Sequence, residues 1–251
     1  MTISSRDWKN YINKLSLINK TASDKVAQWI ERNGVDDTRQ LLDYCYLIAQ
    51  KYGNGSASLS ALMYEALADL EGRVIEPAIL APLPEYGDVA KAVQGTMKRS
   101  QNAEEIGGAV SRLVKQCGAD TTLFNAKRDG AQFAWIPSGD TCAFCITLAS
   151  NGWQYVSKNS LKNGHAEHIH SNCDCAYAIR FNKSTNVAGY DPDKYYEQYE
   201  SAEGDTPAQK INAMRRRYYA QNREEILKQK ASAEEKREEL NSSMAEEINV
   251  N

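Results

Sequence analysis

Cysteine and histidine are crowded into one short stretch of this chain. Of six Cys and three His in 251 residues, Cys142, Cys145, Cys173, Cys175, His165, His168 and His170 all fall between positions 142 and 175. Sulfur donors so clustered form either a disulfide framework or a metal site, and the redox compartment decides which. The first ten residues, Met1 to Asn10, carry no apolar signal-peptide core, so a reducing compartment is expected and the cluster reads as metal ligands. Cys142-Ala-Phe-Cys145 sets two sulfurs one helical turn apart at the predicted start of a helix, a place that favours the thiolate. Further along comes His168-Ile-His170-Ser-Asn-Cys173-Asp-Cys175. Two thiols from one side and a Cys/His set from the other match tetrahedral zinc better than other first-row metals.

Four ligands are wanted from seven candidates. Cys142 and Cys145 come first, with His170 and Cys173 as a compact pair. Cys175 either replaces Cys173 or packs behind the site. His168 is either a ligand or a partner that orients one, and His165 reads as an exposed side chain. A structural zinc site supplies on the order of 10 kcal/mol to folding, which a small module needs. The competing reading is a group of reduced, partly buried thiols without metal. Cys45 and Cys117 stand apart on apolar helical stripes and read as buried thiols.

Around this cluster the expected fold class is α+β, mainly α, in three parts. Residues 1–118 form a helical N-terminal scaffold. Trp8, Tyr11, Ile12, Leu15, Ile18, Ala22, Val26 and Ile30 recur at helical spacing up to Asn33-Gly34. Asp37 is placed to cap a second helix that fades at Gly53, and a third is expected from about Ser58 to Leu70. Pro77, Pro82 and Pro84 mark a rigid connector, and Asp88 opens a helical stretch that ends at Gly118. Residues 119–182 form the Cys/His α+β module: a short helix from Thr121 to Arg128, strands at 132–136, 153–156 and 176–181, and a helix over 141–149 capped by Asp140 and closed by Asn151-Gly152. Residues 183–251 form a charged helical tail.

Charge and motif exclude several functions. With 30 basic and 33 acidic residues the chain is not a globally basic nucleic-acid coat, and no apolar run is long enough to span a membrane. From Lys210 to Lys230 there are seven basic residues against two acidic, and from Ala231 to Asn251 two against six. Arg215, Arg216 and Arg217 beside Tyr218 and Tyr219 read either as a contact to nucleic-acid phosphates or as a solvated helix face. His165-Ala-Glu167 imitates the H-x-E of zinc deaminases, but here the C-x-x-C precedes it, which is the wrong order. Cys142/Cys145 lack the βαβ surroundings of a thioredoxin motif. A small zinc-dependent nuclease, or a related DNA-processing enzyme, is the alternative function that the cluster allows.

The run Phe133-Ala-Trp-Ile-Pro-Ser-Gly-Asp-Thr-Cys-Ala-Phe-Cys145, then Leu148-Ala-Ser-Asn-Gly152 and His170-Ser-Asn-Cys173-Asp-Cys175, resembles the Mu F-like minor head proteins of tailed bacteriophages, also called head morphogenesis proteins. Asp140, Cys142, Cys145, His170, Cys173 and Cys175 occupy that family's pattern; Ser171 and Asp174 stand where its members often carry Pro and a basic residue. The resemblance implies a structural, non-enzymatic minor capsid protein. It implies a place in the virion, inside the capsid near the portal, after assembly in the host cytoplasm. Implied partners are portal, major capsid or scaffold proteins and packaged double-stranded DNA, without a membrane.

Overall fold

In a computed structural model the protein is described at residues 1–138, 141–157, 175–225, 227–228 and 231–232. It is α+β and mainly α, 66% helical, and divides into two compact units, Met1–Tyr196 and Glu197–Asn251. The expected scaffold 1–118 and the module 119–182 both fall within the first of these.

Four helices build the scaffold, and each begins where a side chain takes up the unpaired amides of its first turn. Helix α1 (Ser5–Asn33) starts with the Asp7 amide donating to Ser4 Oγ at 3.1 Å and stops at Gly34, whose φ of 72° suits glycine. Helix α2 (Thr38–Leu70) is capped by Asp37, which accepts from the Gln40 amide at 3.0 Å. Helix α3 (Tyr86–Met97) opens on a reciprocal box between Glu85 and Asp88. Helix α4 (Ala103–Asp129) is capped by Asn102, which accepts from the amides of Glu104 and Glu105.

Two expected breaks are absent. Helix α2 runs unbroken through Gly53, and α4 runs through Gly118 to Gly130, so the separate helix expected at 121–128 is its last part. These glycines serve helix contact rather than helix termination. A Cβ at Gly53 would stand 3.0 Å from Cys117 Sγ, and one at Gly118 only 2.6 Å from Ser56 Oγ and 2.7 Å from Ser60 Oγ. On the α1 side, a Cβ at Gly107 would lie 2.5 Å from the Ser23 carbonyl oxygen. Favourable packing along α1, α2 and α4 therefore outweighs the helix-propensity loss of about 1 kcal/mol per glycine.

Two cores result. One lies among α1, α2, α3 and α4 and holds Val26, Ile30, Leu41, Ile48, Val93 and Val110. The other joins the opposite ends of α1, α2 and α4 to the sheet. That sheet is antiparallel, in the order β3 (Gln154–Tyr155), β2 (Gln132–Ile136), β4 (Ala176–Arg180). Its register pairs Phe133 with Ile179, Trp135 with Tyr177 and Ile136 with Ala176. Every residue of β2 is buried, as a central strand covered on both sides requires. Trp135 and Tyr177 meet edge to face at 4.6 Å. A two-residue parallel pair, β1 (Thr2–Ile3) with β5 (Asn186–Val187), fastens the N-terminal strand beside the module.

Residues 73–85 form no helix or strand, yet their backbone is paired. The Ala78 amide donates to Glu65 at 2.8 Å, and the Ala81 amide to Thr121 Oγ1 at 3.0 Å. Asn125, fully buried, accepts from the Ile79 amide at 2.9 Å and donates to the Ile79 carbonyl at 2.8 Å. Arg128 donates to the carbonyls of Glu76 and Pro77 and also clamps both oxygens of Asp129 at 2.7 Å. Side chains of α2 and α4 thus replace the ladder that a strand would have supplied. The Tyr64 hydroxyl completes the network by donating to Asp129 at 2.9 Å.

Two predictions follow from this packing. Gly107→Ala pushes a methyl into the Ser23 backbone and is expected to destabilise by about 1–3 kcal/mol, whereas Gly95→Ala in α3, with nothing within 4 Å, stabilises by about 0.5–1 kcal/mol; thermal unfolding followed by circular dichroism separates them. The hydrogen bonds from Arg128, with help from Tyr64, hold the Asp129 carboxyl below its ordinary pKa. Its contribution is therefore complete above the ordinary carboxylate range and fades as pH falls through the depressed value. Asp129→Asn should cost about 1–2 kcal/mol at neutral pH, and denaturant curves should show that difference vanishing in acid.

Candidate metal centre

The second half of the cluster follows from the sheet register. Strand β2 leaves the sheet at Ile136, whose partner Ala176 is the first residue of β4. Cys175, just before β4, therefore sits at the end of the sheet from which the chain departs toward Cys142. Antiparallel pairing brings the two cysteine segments to one end of the module although 30 residues of sequence separate Cys145 from Cys175.

Helix α5 (Ala143–Ala149) begins at Cys142, not at Asp140 as expected from sequence, and Asp140 lies outside the described residues. The sulfur takes the capping role: the Cys145 amide donates to Cys142 Sγ at 3.5 Å. A hydrogen-bond acceptor at this position needs only lone pairs and short reach, which a cysteine sulfur supplies as well as a carboxylate. Cys142 is half-buried, while Cys145 and Cys175 are buried in the core shared with β2 and β4. The far end of α5 is held by Gly152, with φ 62°, and by the Tyr190 hydroxyl, which donates to the Ala149 carbonyl at 2.8 Å.

Aromatic and basic groups pack at the other end of the sheet, where Gln132 pairs with Arg180. Arg180 lies over the Trp153 ring at 4.5 Å and donates to Gln132 and to the carbonyls of Lys183 and Thr185. Burial lowers its pKa. Glu71, at the end of α2, accepts from the backbone amides of Phe181 and Asn182 and so terminates β4. Sequence reading missed Tyr190 and Glu71 as supports of the module. Neither belongs to a motif, and only the packing of α2 and the 181–190 loop against the sheet gives them partners.

Among the described residues, no group of three or more His, Cys, Asp or Glu side chains is arranged to hold a metal ion. His165, His168, His170 and Cys173 lie outside the described residues. The donor set still suits a metal in kind: a C-x-x-C whose first sulfur is an amide-bonded helix cap, with a third cysteine entering from the adjoining strand.

Cys45 and Cys117 are placed as the sequence implied. Both are buried in the helical scaffold, where burial pushes each thiol up to about 12. Cys117 also donates to the Leu113 carbonyl at 3.3 Å.

In the second unit, helix α7 (Pro207–Gln221) follows α6 (Pro192–Glu200), which carries the chain across the boundary between the units. Thr206 and Gln209 form a reciprocal cap on α7, and Met214 is its only buried residue. Arg215, Arg216 and Arg217 are exposed, as are Tyr218 and Tyr219. No described helix is long and apolar enough to cross a membrane.

The family model of the VG15 protein matches residues 2–202. That span covers the scaffold and the module and stops short of α7. No curated protein and no solved structure matches the chain.

Native-state alkylation of the reduced protein, read by peptide mass spectrometry, should modify Cys142 before Cys45 and Cys117, which stay unmodified until the protein unfolds, because a buried thiol with a raised pKa supplies almost no thiolate.

Proposed function

The chain belongs to the VG15 protein family, a family of viral gene proteins, and from that premise we propose that it is a minor capsid, or head morphogenesis, protein of a tailed phage. In this reading it is structural rather than catalytic, and it is built into the head interior near the portal. The observation that carries the reading is the family match across residues 2–202. It joins the long helices and the cysteine module into one inherited unit, and the head-protein pattern lies inside that unit.

The helical scaffold supplies surfaces for portal, major capsid or scaffold proteins. Leu17, Leu47, Leu62 and Phe124 stand exposed on its long helices. The module is clamped by a structural zinc ion whose ligands come from Cys142, Cys145, His170, Cys173 and Cys175, with His168 as a further ligand or an orienting partner. A bound zinc would tie the Cys142–Cys145 segment to Cys175 at the end of the sheet and contribute on the order of 10 kcal/mol to folding. Arg215, Arg216 and Arg217 would meet packaged DNA through its phosphates, without base readout.

The test has two parts. Mass spectrometry of purified virions should find the chain at a few copies per particle; its absence there would sink the head-protein reading. Elemental analysis of the isolated protein should give one zinc per chain. That zinc should be lost, together with cooperative unfolding of the module, in Cys142→Ser and in Cys173→Ser. Metal-free protein purified without chelators would exclude the zinc clamp and leave the capsid assignment resting on the virion result.

A further inference from the structure

A small cavity lies where the sheet meets the helices, behind the cysteine module. Its volume is about 20 Å³. Asn19 of α1, Ser56 of α2, Trp135 of β2 and Tyr177 of β4 all line it. Each of the four is at least nine-tenths buried, and each has a polar atom with no hydrogen-bond partner within the protein: Asn19 Oδ1, Ser56 Oγ, Trp135 Nε1 and Tyr177 Oη. Only two other atoms share that condition among the described residues, Trp8 Nε1 and Thr185 Oγ1, and neither residue lines this cavity. A buried polar group left unpaired is costly, because it has given up its water without a replacement. Four around one space point to a bound partner.

We propose that this cavity is a binding site for a single structural water that joins α1, α2, β2 and β4. Size is the first argument, since a water needs roughly 10–15 Å³ on this measure and any organic ligand needs far more. The second argument is the match of donors and acceptors. Trp135 Nε1 only donates, Asn19 Oδ1 only accepts, and the two hydroxyls do either. A water accepts two hydrogen bonds and donates two, so it satisfies all four atoms at once. An anion would leave Asn19 Oδ1 facing negative charge, and a cation would meet the Trp135 N–H. Lys115 also lines the space, and for that reason a small anion is the rival that the experiment must separate.

The space exists because α4 carries glycine here. Gly118 lines the cavity, and a Cβ at that position would come within 2.6 Å of Ser56 Oγ. The water thus fills what two closely packed helices and the sheet leave between them.

A high-resolution crystal structure of the full chain, grown in bromide, tests the site directly. The expected result is one spherical peak within hydrogen-bond distance of the four atoms and without anomalous signal. Oxygen-17 relaxation dispersion should then count one long-lived internal water that disappears in Tyr177→Phe. Ser56→Ala should lower the thermal midpoint by about 2–4 °C, the shift that one lost hydrogen bond of about 1 kcal/mol gives in a chain of this size. A cavity without density, together with a Ser56→Ala midpoint that rises, would show a dry site with a lone hydroxyl and overturn the proposal. An anomalous bromide peak would overturn it in favour of an anion.

Discussion

The close seating of α4 against α1 and α2 is the contact on which the rest of this protein depends. It is made by absence. Gly107 lets the backbone of α1 approach at Ser23, and Gly118 admits the hydroxyls of Ser56 and Ser60 from α2. Once these helices are close, their flanking Val, Ile and Leu side chains close the scaffold core at one end. At the other end the helices present Tyr11, Tyr64 and Leu123 as a floor for the sheet. Wider spacing would leave β2, buried along its whole length, without a surface to cover it.

Order then spreads outward through side chains acting on backbone. Asn125, Arg128 and Glu65 pair the amides and carbonyls of the proline-marked connector. Glu71 takes the amides at the end of β4, and Tyr190 takes a carbonyl at the end of α5. Each pairs a backbone amide or carbonyl that its own segment leaves without a helix or ladder partner. The cysteine module is therefore held from the helix side by hydrogen bonds. The metal proposed for it would act at the end of the sheet where Cys175 enters β4.

The exposed arginines of α7 are carried in a separate unit. The VG15 match ends before that helix, so the shared architecture is the scaffold with its module.

Much of this was legible in the amino-acid order, because the signals were local. The stripe from Trp8 to Ile30, the Asn33-Gly34 stop, the Asp37 cap, the strand at Gln132–Ile136 and its partner beginning at Ala176 depend on neighbours within a few residues. The burial of Cys45 and Cys117 was equally plain from their apolar surroundings. Gly53 and Gly118 were misread as helix ends because a glycine that terminates a helix and a glycine that admits a neighbouring helix look alike along the chain. Asp140 was preferred to Cys142 as a cap for a similar reason, since the first turn's position was judged by residue type alone. Sequence by itself therefore determined the elements and the clustering of thiols and imidazoles. The tertiary structure decided which glycines are contacts, which end of the sheet receives Cys175, and where four buried polar atoms surround one cavity. Those depend on distances between residues far apart in the chain, and no local pattern encodes them.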